Sequence, residues 1–82
     1  MHYVTEAKYI KDYKISITFE NNESGVIDLE EVILQDKRPI FQELKDKEKF
    51  GKIRVDIDTV AWSNGLDLAP EFLHDLLIKQ KK

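Results

Sequence analysis

The chain has 82 residues, 41% hydrophobic and 35% charged, with a formal net charge of −3. That length makes one domain, 1–82, and a chain so short buries only roughly 60–65% of the surface its unfolded form exposes. The lack of cysteine excludes disulfides, thiolate nucleophiles and cysteine-ligated zinc, and the acidic balance disfavours a strong non-specific grip on nucleic acid or an anionic membrane.

The first residues, MHYVTEAKYIKDYK, contain no apolar core of a secretory signal, and no apolar run is long enough to span a bilayer. Cytoplasmic residence is the expectation. HYVTEAKYI is rich in β-formers but alternates irregularly, as an edge or bulged strand does, and His2 stands at its frayed start. Lys11-Asp12 is the expected turn. YKISITFE then alternates cleanly, with Tyr13, Ile15, Ile17 and Phe19 on one face and Lys14, Ser16, Thr18 and Glu20 on the other. NNESG supplies turn chemistry, since Asn tolerates left-handed geometry and Gly25 allows positive φ, and GVIDL makes a short third strand.

LEEVILQD reads equally as a helical turn or as more of that strand. RPIFQELKD predicts a short helix, since Pro39 suits a first helical position and Ile40, Phe41 and Leu44 recur at one-turn spacing. DKEKFGK breaks at Gly51. KIRVDI alternates again, placing Ile53, Val55 and Ile57 inward, and a turn over 56–58 pairs it with TVAWS in a hairpin. The last segment is an amphipathic helix with Phe72, Leu73, Leu76 and Leu77 on its apolar side. Glu71 at its start and Lys79, Lys81 and Lys82 at its end suit the helix dipole. The sum is an α+β fold with a roughly five-stranded antiparallel sheet, built from a three-stranded meander plus a hairpin. The short middle helix and the C-terminal helix cover one face.

The corner VAWSNGLDLAPEFLHDLL, 60–77, holds the only tryptophan. Structurally, Asn64-Gly65 reverses the chain after Trp62, Leu66 and Leu68 enter the core, and Pro70 opens the helix. Asp67 caps that helix only if it begins at Leu68. Functionally, Trp62, Asn64, Asp67, Glu71 and His74 form a candidate partner-binding surface, with Gly65 and Pro70 as its structural turn.

This corner, with YKISITF, GVIDL and PIFQELKDKEKFGKIRV before it, resembles a bacterial family catalogued as domain of unknown function 2442. The recognisable pattern there is Trp-x-Asn-Gly-x-Asp-x-x-Pro-Glu, matched by Trp62, Asn64, Gly65, Asp67, Pro70 and Glu71. Many members carry Pro where this chain has Ser63, so its turn should be less rigid. The resemblance implies an α+β fold and no established catalysis. Members occur alone or ahead of a helix-turn-helix domain, and some are regarded as halves of two-gene modules resembling toxin–antitoxin pairs. This chain stops after the first helix past Pro70, so no helix-turn-helix of its own is expected.

Catalytic constellations are sparse. His74 lies one turn from Glu71 and beside Asp75, but adjacent helical residues point about 100° apart and one histidine makes a poor metal set. Asp56 and Asp58 share one face of a turn and fit a hydrated hairpin better than a general acid–base pair. There is no phosphate loop or nucleophile elbow, and Ser16, Ser24 and Ser63 have no neighbouring histidine in sequence. No catalytic, metal or cofactor-binding residues are therefore expected.

Charge is polarised along the chain. Residues 20–36 hold six acidic side chains and no Lys or Arg, whereas 37–54 hold seven basic and three acidic ones. Lys37, Arg38, Lys45, Lys47, Lys49, Lys52 and Arg54 form either a basic patch for an anionic partner or one half of an internal neutralisation. The leading expectation is a non-enzymatic module that binds a protein partner. A nucleic-acid-associated regulator using 37–54 comes second, and a small metal-dependent enzyme at Asp67, Glu71 and His74 third. An exposed edge strand would also allow a homodimer.

Overall fold

The computed structural model describes residues 3–80, so the readings of His2, Lys81 and Lys82 lie outside the described residues. Strand β1 (Val4–Lys11) pairs antiparallel with β2 (Lys14–Phe19), which pairs with β3 (Ser24–Asp28), giving the order β1-β2-β3. The clean alternation of β2 does what it promised. Tyr13, Ile15, Ile17 and Phe19 are buried, while Lys14, Ser16 and Thr18 stay partly accessible. The irregular β1 carries two register shifts, between Val4 and Glu6 and between Tyr9 and Lys11.

Two turns differ from expectation. The first falls one residue later, with Asp12 taking a left-handed φ of 50°. In the second, Asn22 takes the positive φ of 69°, as its residue type allows, but Gly25 is not part of the turn and lies within β3 opposite Ile17. An asparagine that accepts left-handed geometry removes the need for glycine there.

Residues 29–50 fold into short helices: α1 (Glu30–Gln35), α2 (Pro39–Gln42) running into a 3₁₀ turn (Glu43–Lys45), and α3 (Lys47–Phe50). The ambiguous LEEVILQD is thus helical. Asp46 starts α3 by accepting from the Glu48 N–H at 3.0 Å. Then β4 (Ile53–Asp56) and β5 (Thr59–Trp62) pair through a two-residue turn at Ile57-Asp58, and α4 (Pro70–Gln80) closes the fold. The architecture is α+β, with the five strands divided between a three-stranded sheet and a separate hairpin. The two meet where the Val4 N–H donates to the Asp58 carbonyl at 2.9 Å. Among the described residues no helix is long and apolar enough to cross a membrane.

The core is one cluster uniting the inner faces of both sheets with Leu29, Ile33, Phe41, Leu44, Phe50, Leu66, Leu68, Leu73 and Leu77. Phe50 lies at its aromatic centre, with ring centroids 5.3 Å from Tyr13, 5.8 Å from Trp62 and 5.9 Å from Tyr9. Gly51 permits this approach, because a Cβ there would sit 3.0 Å from the Tyr9 ring. Two expected inward residues are not inward: Val55 is 37% exposed and Ile57 89% exposed. The apolar stripe of β4 runs off the edge of the body and into the turn. Phe72 is also 40% exposed, because α4 buries only Leu73 and Leu77 fully and Leu76 in part.

Phe50→Ala should lose about 3–5 kcal/mol, the usual range for deleting a buried aromatic ring. Urea unfolding followed by far-UV circular dichroism measures it, and Trp62 fluorescence should shift to the red at matched folded fraction.

Candidate functional site

The corner after β5 is built mainly by backbone geometry. The Trp62 N–H donates to the Leu66 carbonyl at 2.9 Å, and the Gly65 N–H donates to the Trp62 carbonyl at 3.1 Å. The loop thus has three residues and closes on Gly65, whose φ is +93°. Of the Asn64-Gly65 pair only the glycine is left-handed. Residues 66–68 then run back beside β5. Asp67 bridges Ala61, the Leu68 N–H donates to the Val60 carbonyl at 3.3 Å, and the Thr59 hydroxyl donates to the Leu68 carbonyl.

This geometry divides the proposed partner-binding residues. Trp62 is only 1% exposed, and its indole N–H donates to the Phe50 carbonyl at 2.9 Å. It has no surface to offer a partner. A large ring with one donor is best satisfied by burying the ring and bonding the donor to an orphan carbonyl at a helix end. Asn64 is also absorbed by the fold. Its Oδ1 accepts from the Leu66 N–H at 3.1 Å, and its Nδ2 donates to the Ile40 carbonyl at 3.0 Å and to Glu43 Oε2 at 2.9 Å.

Asp67 and Glu71 are exposed. Helix α4 begins at Pro70, so Asp67 has no capping role. His74 faces Glu23 of the β2–β3 turn. Its Nε2 lies 3.0 Å from Glu23 Oε1, and its ring meets Phe19 edge-on at 5.2 Å. The sequence trio Asp67, Glu71 and His74 is therefore not assembled, and no three metal-ligating side chains gather among the described residues.

What the corner does help to form is an open groove of about 580 Å³ between α1–α2 and residues 65–72. Val32, Ile40, Phe41, Leu66, Leu68 and Phe72 give it an apolar lining, with Asp36, Arg38 and Asp67 as its charged members. Arg38 lies with its guanidinium carbon 4.9 Å from the Phe41 ring centroid. It donates to Asp36 through Nε at 3.0 Å and Nη2 at 2.7 Å. These side-chain bonds, followed by the backbone N–H bond from Arg38, hold the Asp36 carboxyl below its ordinary value. The Asp67 carboxylate has no partner among the described residues. Sequence reasoning missed Val32, Ile40 and Phe72 as a surface. The available signal was α4 itself: Phe72, Leu73, Leu76, Leu77 and Ile78 are more apolar positions than one buried stripe can hold.

Three of the seven cations of the basic segment face carboxylates. Arg38 pairs with Asp36, Lys47 with Asp12 at 3.2 Å and Arg54 with Asp56 at 3.6 Å. Lys47 also lies 5.7 Å from the Tyr13 ring centroid, and its hydrogen bond to Asp12 raises its pKa. Lys37, Lys45, Lys49 and Lys52 are exposed, with Lys49 and Lys52 lining a smaller hollow beside Asn64. At the sheet edge, the Gln80 carboxamide accepts from the Asp28 N–H at 2.7 Å and donates to its carbonyl at 3.0 Å, closing one end of β3.

These features define a small α+β domain in which Trp62 and Asn64 are bonded into the fold and an open groove with an apolar lining lies beside the corner. The chain belongs to the family described as "Protein of unknown function (DUF2442)", whose model matches residues 4–78. No curated protein and no solved structure matches the chain.

Two outcomes separate scaffold from surface. Asn64→Ala should lose about 1–3 kcal/mol, because it unpairs a partly buried carbonyl and a partly buried N–H. Asp67→Ala should stay within about 0.5 kcal/mol by urea titration. The Asp36 carboxyl should titrate below a free carboxylate by ¹³C NMR and return towards it in Arg38→Ala. The stabilisation it gives is present above the ordinary carboxylate pKa and lost as pH falls through the lowered value.

Proposed function

We propose that this chain is a non-enzymatic, cytoplasmic protein-interaction module that receives a partner segment in the groove beside α4. The observation that carries this reading is the lining: six large apolar side chains, among them the 40% exposed Phe72, beside a carboxylate with no partner among the described residues. A segment that fits would present apolar side chains to Val32, Ile40 and Phe72 and a Lys or Arg to Asp67. Exposed apolar surface of this kind is what recognition sites use, with charge setting orientation. The family resemblance supports a partner encoded by an adjacent small gene, as in a toxin–antitoxin-like pair.

The nucleic-acid reading gains no comparable support. Phe41 and Phe50, the aromatic residues of the basic segment, are 4% and 0% exposed, so neither offers a ring for a base to stack on. Three of its seven cations already face carboxylates.

The test begins with capture of partners by the full chain from a lysate of the source cells, followed by calorimetry on the purified complex. Phe72→Ala and Asp67→Lys should each weaken binding by roughly tenfold or more at matched folded fraction. Binding that is unchanged in both variants would remove the groove as the site. Affinity that collapses between low and moderate salt would instead favour a nucleic-acid ligand.

A further inference from the structure

The tip of the β4–β5 hairpin breaks a rule that the other described residues obey. Asp56 pairs with Thr59, so the turn has two residues, Ile57 and Asp58, and both are left-handed, with φ of 48° and 67°. Such a turn favours Asn-Gly or Asp-Gly, because a side chain branched at Cβ collides with its own backbone in that conformation. The other left-handed positions among the described residues are Asp12, Asn22, Asp58 and Gly65, all of types that tolerate it. Only Ile57 does not.

Nothing in the fold compensates the misfit. Ile57 is 89% exposed, the most exposed large apolar side chain among the described residues, ahead of Val26 at 50%. It follows Val55, itself 37% exposed, so apolar surface continues down β4 from the tip. The position is also held in place. The Asp58 carbonyl accepts the Val4 N–H at 2.9 Å, which fixes the turn to β1, so docking there would order little new backbone.

We propose that Ile57 is a docking peg that enters an apolar pocket with a basic rim on a partner protein. The rim follows from the two flanking carboxylates. Asp56 faces only Arg54, at 3.6 Å, and the Asp58 side chain has no partner among the described residues. Two carboxylates beside the peg repel phosphate, which disfavours a lipid surface or a nucleic acid. They also disfavour a second copy seated through its groove, where Asp36 and Asp67 outnumber Arg38. The peg lies outside the groove lining, so this inference stands or falls separately from the groove.

The test uses the full chain in two measurements. Ile57→Asn suits the turn, so its Tm should rise by roughly 4–8 °C, the shift expected in a domain this size when one residue's left-handed strain is released. A lower Tm would mean that Ile57 serves the fold, and would overturn the proposal. In the second, an aliphatic diazirine side chain replaces Ile57, with Val26 as the control position, and is irradiated in the source cells. A protein cross-linked from position 57 but not from 26, mapped to apolar residues flanked by Lys or Arg, supports the peg. Ile57→Asn should then weaken binding of that purified protein by roughly tenfold to a hundredfold, while Asp67→Lys leaves the peg contact intact. Cross-links only to another copy, to lipid, to nucleic acid or to nothing specific would overturn it.

Discussion

The constraint on which the fold depends is that the middle of the chain is made of helices too short to stand alone. Segments of four to six residues gain little from their own hydrogen bonds, since nucleating a helical turn is unfavourable and propagation has no length in which to offset it. Those within residues 39–50 are held by side-chain donors reaching in from the β1–β2 turn, β5 and the corner. The Tyr13 hydroxyl donates to the Lys45 carbonyl at 2.6 Å, the Trp62 indole to Phe50 and the Asn64 carboxamide to Ile40. Two of these acceptors end their helical turns, where carbonyls would otherwise be left without partners. The rings that carry the first two donors also pack against Phe50. Burial and hydrogen bonding are thus one device, which fastens residues 39–50 to both sheets.

That device decides how the tryptophan-to-proline corner must be understood. Its most conspicuous residues, Trp62, Asn64 and Gly65, are occupied by the bonds that fasten the middle segment and turn the chain. A side chain whose polar atoms are all spoken for inside the fold cannot also recognise a ligand without releasing them, at the cost of an unpaired buried group. On the proposed reading, recognition falls to what the corner leaves on the surface: the exposed ring of Phe72, the carboxylate of Asp67, and the apolar wall of α1 and α2 across the groove. The groove is a consequence of where the corner sets α4.

Much of the fold was legible because period-2 and helical patterns reflect burial directly. The alternation of β2 and the burial of Leu66, Leu68, Leu73 and Leu77 could be read from sequence for that reason. The failures have equally physical causes. In β4, Ile53, Val55 and Ile57 alternate as an inward face does, yet alternation states only that residues share a side, not that the body extends far enough to cover it. The helix at 47–50 is too short to show a period. Asn64 was read as a turn residue for its backbone tolerance, whereas its contribution lies in a side chain that reaches residues 21 and 24 positions away. No local pattern carries a contact of that span. Charge pairing was no easier to read: Arg38–Asp36 and Arg54–Asp56 are neighbours two residues apart, whereas Lys47 reaches Asp12 across 35 positions.

A small domain always leaves apolar side chains outside, since its surface is large relative to its volume, and nine large ones are exposed here among the described residues. Exposure alone therefore carries little meaning, and Tyr9 shows why: although 37% exposed, its ring still packs against Phe50 and serves the fold. What distinguishes a positioned residue from a leftover one is a second feature that the fold does not require. For Phe72 that feature is the company it keeps, a concave apolar wall with an unpartnered carboxylate at its margin. For Ile57 it is a backbone conformation that penalises its own side chain at a site where several polar residues would fit without strain. A surplus hydrophobe tolerated by chance would be expected on a strand or helix face, where exposure is its only penalty. One set at a strained and tethered turn carries two penalties, and stability of the isolated chain accounts for neither.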